Sequence, residues 1–246
     1  DLILECIVGS TLHGTAVDDG LEDLDIVGVG VESLHTMNGF SPRDHWVERT
    51  KPEGVRSEAG DVDRTIYGLK KYVLLALGGN PTILLPLFAP PEMTRFINAT
   101  GQELRDLTPH LLSRRVGSSF LGYLDQQLKR LMGKSGQKRC TRPELIERHG
   151  FDTKYAGHVI RLGLQGVELL STGKLTLPMS EPSRERVRDV RLGKYPIEDI
   201  ETWGLDLIEE LREAREKSPL PEEPNSPLVE EWMLDTYLKY WKGSSP

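Results

Sequence analysis

The sequence predicts an α+β protein, with a small mixed β-sheet unit over about residues 1–95 and a helical unit over about residues 96–242. Three observations carry this. Near the N-terminus, short runs rich in Val and Ile alternate or cluster as strands do. From about residue 100, apolar residues recur at the three- and four-residue spacing of amphipathic helices. Gly and Pro pairs punctuate both halves.

In chain order, residues 2–8 (LILECIV) make the first expected strand, which ends at Gly9-Ser10. Residues 11–17 suit a short helix, and Val17-Asp18-Asp19-Gly20 a turn. Residues 24–31 (LDIVGVGV) make the second strand. Residues 40–60 carry Pro42, Pro52, Gly54 and Gly60 and read mostly as loop. A third strand is expected at 62–66. The spacing of Leu69, Tyr72, Val73, Ala76 and Leu77 predicts a helix that Gly78-Gly79 stops. Another short helix is expected from Asn80-Pro81 to Phe88, closed by Pro90-Pro91. Helices follow at 101–107, 112–132, 142–148, 154–171, 183–192 and 198–217. Pro219, Pro221, Pro224 and Pro227 form a stiff linker before a last amphipathic helix at 228–241, and the tail from Gly243 is expected to be mobile.

A chain of 246 residues can bury one large core or two small ones. Hydrophobic residues make up 37% and charged residues 28%, ordinary values for a globular protein. The most apolar stretch, 72–88, is broken by Gly78-Gly79-Asn80-Pro81, so no membrane span is expected. The opening Asp1-Leu2-Ile3-Leu4 has no basic n-region, so no secretory leader is expected. Cys6 and Cys140 are too few for a disulfide framework or a zinc site, and a reducing cytoplasm is the expected location. The net charge of −7 excludes a globally basic nucleic-acid binder. The charge is uneven, however. Residues 114–161 hold 11 Lys/Arg against 4 Asp/Glu, and residues 198–235 hold 3 against 13. This fits either a local surface facing a polyanion or a set of solvated helix faces. The segment 134–139 (KSGQKR) could hold a polynucleotide, while Arg114-Arg115 and Lys129-Arg130 read as solvated. Trp203, Trp232 and Trp241 sit at helical spacings with Leu and Ile and read as core. Tyr123, Gln126 and Gln127 could reach a cleft.

The chemistry concentrates at residues 9–63. Ser10 follows a strand and precedes a helix, and Gly9 lets the backbone approach a ligand closely, a combination suited to phosphate. Gly14 permits a second close approach. Asp23 and Asp25 lie two apart at the start of a strand, so their carboxylates share a face. Two such carboxylates repel unless a cation joins them, and a hard cation such as Mg²⁺ would do so. The apolar run from Ile26 to Val29 buries the strand beside these acids, which disfavours a merely solvated turn. Asp61-Val62-Asp63 repeats the spacing on the next strand, and one of its carboxylates would complete a three-acid site and could serve as general base.

Gly9-Ser10, Gly14 and Glu22-Asp23-Leu24-Asp25-Ile26-Val27-Gly28-Val29 resemble the signature of the DNA polymerase β-like nucleotidyltransferase superfamily. Asp63-x-x-x-Tyr67-x-Leu69-x-Lys71, Gly79-Asn80-Pro81-Thr82 and Asp152-Thr153-Lys154-x-Ala156-x-His158-x-x-Arg161-Leu162 are similar to its bacterial and phage RNA-repair-associated branch. Leu170-x-x-Gly173-x-Leu175 and Arg188-x-x-Arg191-x-Gly193 continue the likeness, which covers about residues 3–215. The resemblance implies transfer of an NMP from an NTP to a hydroxyl acceptor, with Gly9 and Ser10 at the NTP phosphates. It implies that Asp23, Asp25 and Asp63, chosen over Asp61, bind Mg²⁺ or Mn²⁺ and act in catalysis. Many relatives carry an acid five positions after the Asn of Asn-Pro; here that position is Leu85.

The segment 154–171 adds evidence of its own. At about 100° per residue, Lys154, His158, Arg161, Gln165 and Glu168 fall within an arc of about 80°, with apolar residues around the rest. This predicts a mostly buried helix whose narrow polar stripe lines a cleft, where Lys154, His158 and Arg161 could grip a triphosphate. The plainer alternative is an Arg161–Glu168 ion pair beside a satisfied histidine. The expected acceptor is an RNA or tRNA 3′ end. The alternatives are a small-molecule or protein hydroxyl, or a non-catalytic nucleotide or RNA sensor that keeps the fold. No obligate protein partner is evident.

Overall fold

The computed structural model describes residues 1–17, 23–52, 60–133 and 142–243. The expected turn at 18–20, Glu22, Gly54, the basic segment 134–139, Cys140 and the tail 244–246 lie outside the described residues. The sheet unit contains β1 (Leu2–Ile7), α1 (Gly9–His13), β2 (Leu24–Gly30), α2 (Leu34–Asn38), β3 (His45–Arg49), β4 (Val62–Gly68), α3 (Leu69–Leu77), α4 (Leu85–Phe88) and β5 (Thr94–Ile97). Helices then follow without further strands among the described residues: α5 (Ala99–Asp106), α6 (Thr108–Leu111), α7 (Arg115–Leu131), α8 (Pro143–His149), α9 (Thr153–Thr172), α10 (Ser183–Arg191), α11 (Ile197–Lys217) and α12 (Ser226–Gly243). The protein is therefore α+β, as the patterning predicts. Among the described residues no helix is long and apolar enough to cross a membrane.

The five strands run in the order β3-β4-β2-β1-β5. β2 and β4 pair in parallel, and the other neighbours pair antiparallel, so the sheet is mixed. Two strands depart from the sequence expectation. β3 lies in the stretch read as loop, because its alternation of His45, Trp46, Val47, Glu48 and Arg49 is polar and mostly exposed, as an edge strand permits. β5 is only four residues long and completes the opposite edge. The helix expected from Asn80 begins only at Leu85, because the Asn80 side chain accepts hydrogen bonds from the Thr82 and Ile83 amides and holds a turn there.

One connected core joins the two halves. It includes Leu4 and Val29 of the sheet, Tyr72 of α3, Phe120 of α7, Ile160 of α9, Leu211 of α11 and Tyr237 of α12. Each buried side chain of this kind contributes roughly 1.5–3 kcal/mol. α9 sits at its centre, and three glycines let its neighbours close in. A Cβ at Gly163 would lie 2.7 Å from Leu207, one at Gly166 2.6 Å from Leu211, and one at Gly157 2.5 Å from the Arg191 stem. The last of these brings a cation of α10 across α9. Asp152 caps α9 by accepting from the Tyr155 amide at 3.0 Å. The linker after α11 is tied back by Arg114, which donates to the Ser218 and Leu220 carbonyls, and by the Arg115–Glu223 pair. Trp203, Trp232 and Trp241 pack against the core, as their spacing predicts.

Candidate active site

The parallel register of β2 and β4 sets Asp25 directly opposite Asp63. Paired residues on neighbouring parallel strands project from the same face of the sheet, roughly 4.8 Å apart. Asp23 precedes β2 by one residue and shares the face of Asp25. The three half-buried carboxylates offer oxygen atoms that all lie within 4.8 Å of one another. Asp61 stands outside this cluster, with its carboxylate 3.2 Å from Lys51 Nζ. Asp23, Asp25 and Asp63 are acids of one sign, offer only oxygen, and lie at a spacing that one or two small cations could bridge. That donor set fits a hard divalent ion and no soft one.

α1 starts at Gly9, two residues before the helix expected at 11–17, and Gly9 is what lets the chain leaving β1 reach this cluster. It sits at φ +69°, and a Cβ there would lie 2.3 Å from Asp25 Oδ2. The Val8 amide donates to the Asp25 carbonyl at 2.9 Å, which holds the end of β1 against the start of β2. Gly9 and Ser10 therefore open onto the carboxylates. Ser10, Asp23, Asp25 and Asp63 all line one cleft of about 440 Å³. Its opposite wall is built from the helical half, with Arg142, Lys154, His158, Arg161 and Arg191.

Lys154 and the acids meet across the cleft, with Nζ 3.6 Å from Asp23 Oδ1. Arg49 closes the other end, its Nε 3.4 Å from Asp63 Oδ1. The polar stripe of α9 lines the cleft as far as Arg161, and Gln165 lies buried behind it. Arg161 donates to Gln165 Oε1 at 2.8 Å and lies 2.6 Å from His158 Nδ1, so it forms no pair with Glu168. Glu168 turns away and accepts from the Thr176 amide and hydroxyl. Burial, with Arg191 nearby, pushes the Arg161 guanidinium down to about 10. Burial, with Arg161 and Arg142 nearby, pushes His158 down to about 3. Desolvation dominates in both cases, and the neighbouring cations push in the same direction, so this wall disfavours further positive charge.

The structure brings together every candidate residue the sequence singled out: Gly9, Ser10, Asp23, Asp25, Asp63, Lys154, His158 and Arg161. It adds Arg49, His13 and Arg191. Arg49 lies on the strand that composition concealed. His13 follows Ser10 by about one helical turn, a spacing that offered a signal. Leu85 is buried at the head of α4 and lines the cleft. Tyr123 accepts a hydrogen bond from Asn80 Nδ2 at 3.1 Å, and Gln127 bonds the Tyr155 hydroxyl at the cleft rim.

A family model described as the RNA repair pathway DNA polymerase beta family matches residues 1–238. The chain belongs to that family. An uncharacterised 38.9 kDa protein of Enterobacteria phage T4, from the nrdC-mobD intergenic region, is 27% identical to this polymerase β-family chain over 86% of the chain and 89% of its own length. A solved nucleotidyltransferase-like protein from Exiguobacterium sibiricum is 9% identical, with a TM-score of 0.31, over 88% of this chain and 69% of its own. Membership of the family places the chain among nucleotidyltransferase-type enzymes.

Proposed function

We propose that this polymerase β-family chain transfers an NMP from an NTP to a hydroxyl at an RNA or tRNA 3′ end and releases pyrophosphate. One observation carries the reading: three convergent carboxylates face a wall of half-buried and buried cations across one cleft. A cleft with negative charge on one side and positive charge on the other suits a metal-bound triphosphate. The RNA acceptor rests on the family description alone.

In this reading Asp23, Asp25 and Asp63 would hold Mg²⁺ or Mn²⁺, which when bound supplies charge neutralisation and Lewis acidity at the reacting phosphate. Gly9 and Ser10 bind the phosphates through the backbone and the hydroxyl. Lys154, His158 and Arg161 receive phosphate oxygens from the helical side. Asp63 takes the proton of the attacking hydroxyl. The new bond forms between that hydroxyl oxygen and the α-phosphorus, the bond from the α-phosphorus to the bridging oxygen breaks, and pyrophosphate leaves with the electron pair.

The test is incubation with labelled NTPs, Mg²⁺ or Mn²⁺, and a pool of tRNA and short RNA. Label is expected on RNA 3′ ends. Activity that survives Asp23→Ala with Asp25→Ala would sink the assignment. Label on a small molecule or on protein would move the acceptor without touching the reaction type.

A further inference from the structure

Four side chains on α1 and α9 form a directed hydrogen-bond chain whose polarity can be read from donor and acceptor rules alone. Arg161 has donors only. One of its nitrogens donates to Gln165 Oε1 at 2.8 Å, and another donates to His158 Nδ1 at 2.6 Å. A neutral imidazole that accepts at Nδ1 carries its proton on Nε2. Because Gln165 Oε1 is committed to Arg161, the amide orientation is settled and Gln165 Nε2, a donor only, faces His13 Nδ1 at 3.1 Å. His13 must accept there, so its proton too sits on Nε2.

Both rings are held neutral. Burial and then the charge of Arg161 hold His13 well below the ordinary imidazole range, and burial with the Arg161 and Arg142 charges does the same for His158. His158 lines the cleft and is partly exposed. His13 also contributes to the cleft wall, yet it is only 1% exposed, and its Nε2 has no hydrogen-bond partner among the described residues. A buried donor left without an acceptor forfeits its hydration with nothing in return. Such a group is often kept because a ligand completes it.

We propose that Arg161, directly and through Gln165, sets His13 and His158 as Nε2–H donors, and that these donors receive oxygens of the pyrophosphate moiety of the NTP and of the leaving pyrophosphate. The proposal rests on the transfer reading above only for the name of the ligand. Gln165 is a positioning residue, since it acts through His13. The wall presents donors, so it favours an anion whose oxygens are all acceptors. Neutral Nε2–H groups contribute direction to a site where Arg161 and Arg191 already supply charge. A protonated second histidine would add only repulsion between cations.

The test uses the full chain labelled with ¹⁵N-histidine. The expected spectrum at neutral pH shows His13 and His158 each in the Nε2–H form, and titration with inorganic pyrophosphate moves both Nε2–H signals. In Gln165→Met, which keeps length and volume, His13 is expected to lose its single tautomer, and pyrophosphate affinity to fall about tenfold. Neither measurement on the unmodified protein depends on that variant folding. His13 found with its proton on Nδ1, or Nε2–H signals unmoved by saturating pyrophosphate, overturns the proposal. A chain that transfers no nucleotide but shows both effects upholds it while the transfer reading fails. An active chain with His13 in the Nδ1–H form upholds transfer and overturns the proposal.

Discussion

Lys154 Nζ of α9 lies 3.6 Å from Asp23 Oδ1, so the helical wall of the cleft reaches the carboxylate cluster directly. The lysine partly neutralises an acid that a metal ion would also claim. Two opposite effects follow from Lys154→Met. Affinity for Mg²⁺ alone should rise several-fold, because a competing cation is gone. Affinity for an NTP should fall about tenfold, because a phosphate partner is gone. Calorimetric titration with each ligand separates the two, and a parallel change in both would contradict the competition.

Asp25 and Asp63 face each other across the β2–β4 register, and like charges so placed disfavour the fold. Asp25→Asn should therefore raise the metal-free Tm by roughly 2–4 °C, equivalent to about 1 kcal/mol in a chain of this size. It should also abolish the Tm increase produced by millimolar Mg²⁺ and abolish transfer. Thermal scans with and without Mg²⁺ read both effects; a Tm that drops in the metal-free state would show that the cluster is not repulsive.

Gly9→Ala should be costly, because the new methyl group would meet Asp25 Oδ2 at 2.3 Å on a backbone at φ +69°. A loss of about 1–3 kcal/mol is expected, together with loss of Mg²⁺ binding as Asp25 is displaced. Gly60 is the control. It also has positive φ, at +89°, but a Cβ there meets nothing within 4 Å among the described residues. Gly60→Ala should cost only the backbone strain and leave Mg²⁺ binding intact. Urea unfolding with a metal titration compares them.

His158, pushed down to about 3 in the folded chain, regains an ordinary value near 6.5 when unfolded. Below pH 6.5 the unfolded chain therefore binds a proton that the native chain refuses. Stability is fully present above pH 6.5 and declines as pH falls toward 3, with a limiting slope of about 1.4 kcal/mol per pH unit for one such histidine. His13, shifted in the same direction, steepens the decline. Between pH 6.5 and 5, His158→Gln should flatten the curve. An unchanged slope in chemical denaturation would count against a buried neutral His158.

Tyr237 of α12 donates to the buried carboxylate of Glu32 at 2.7 Å, and Glu32 also accepts from the Leu69 amide at the start of α3. Tyr237→Phe should destabilise by about 1–2 kcal/mol through loss of a bond to a charged group. Urea unfolding measures that loss. The substitution should leave kcat unchanged, because this anchor is on no wall of the cleft.

The spacing of Asp23 and Asp25, the close approach at Gly9-Ser10 and the polar stripe from Lys154 to Gln165 were legible in the sequence. Each is a relation within one element, where periods of two and about 3.6 residues decide which side chains share a face. The order of the longer helices was legible for the same reason, whereas the short α2 and α6 were not. β3 was not, because an exposed edge strand needs no apolar alternation, and Arg49 stayed hidden with it. The register of β2 on β4, which puts Asp63 and not Asp61 opposite Asp25, arises from pairing between distant segments. The passage of Arg191 over Gly157 and the meeting of His13 with Gln165 depend on how helices cross. Those relations are decided by packing around a shared core, a non-local quantity that no local period encodes, and only the tertiary structure supplies them.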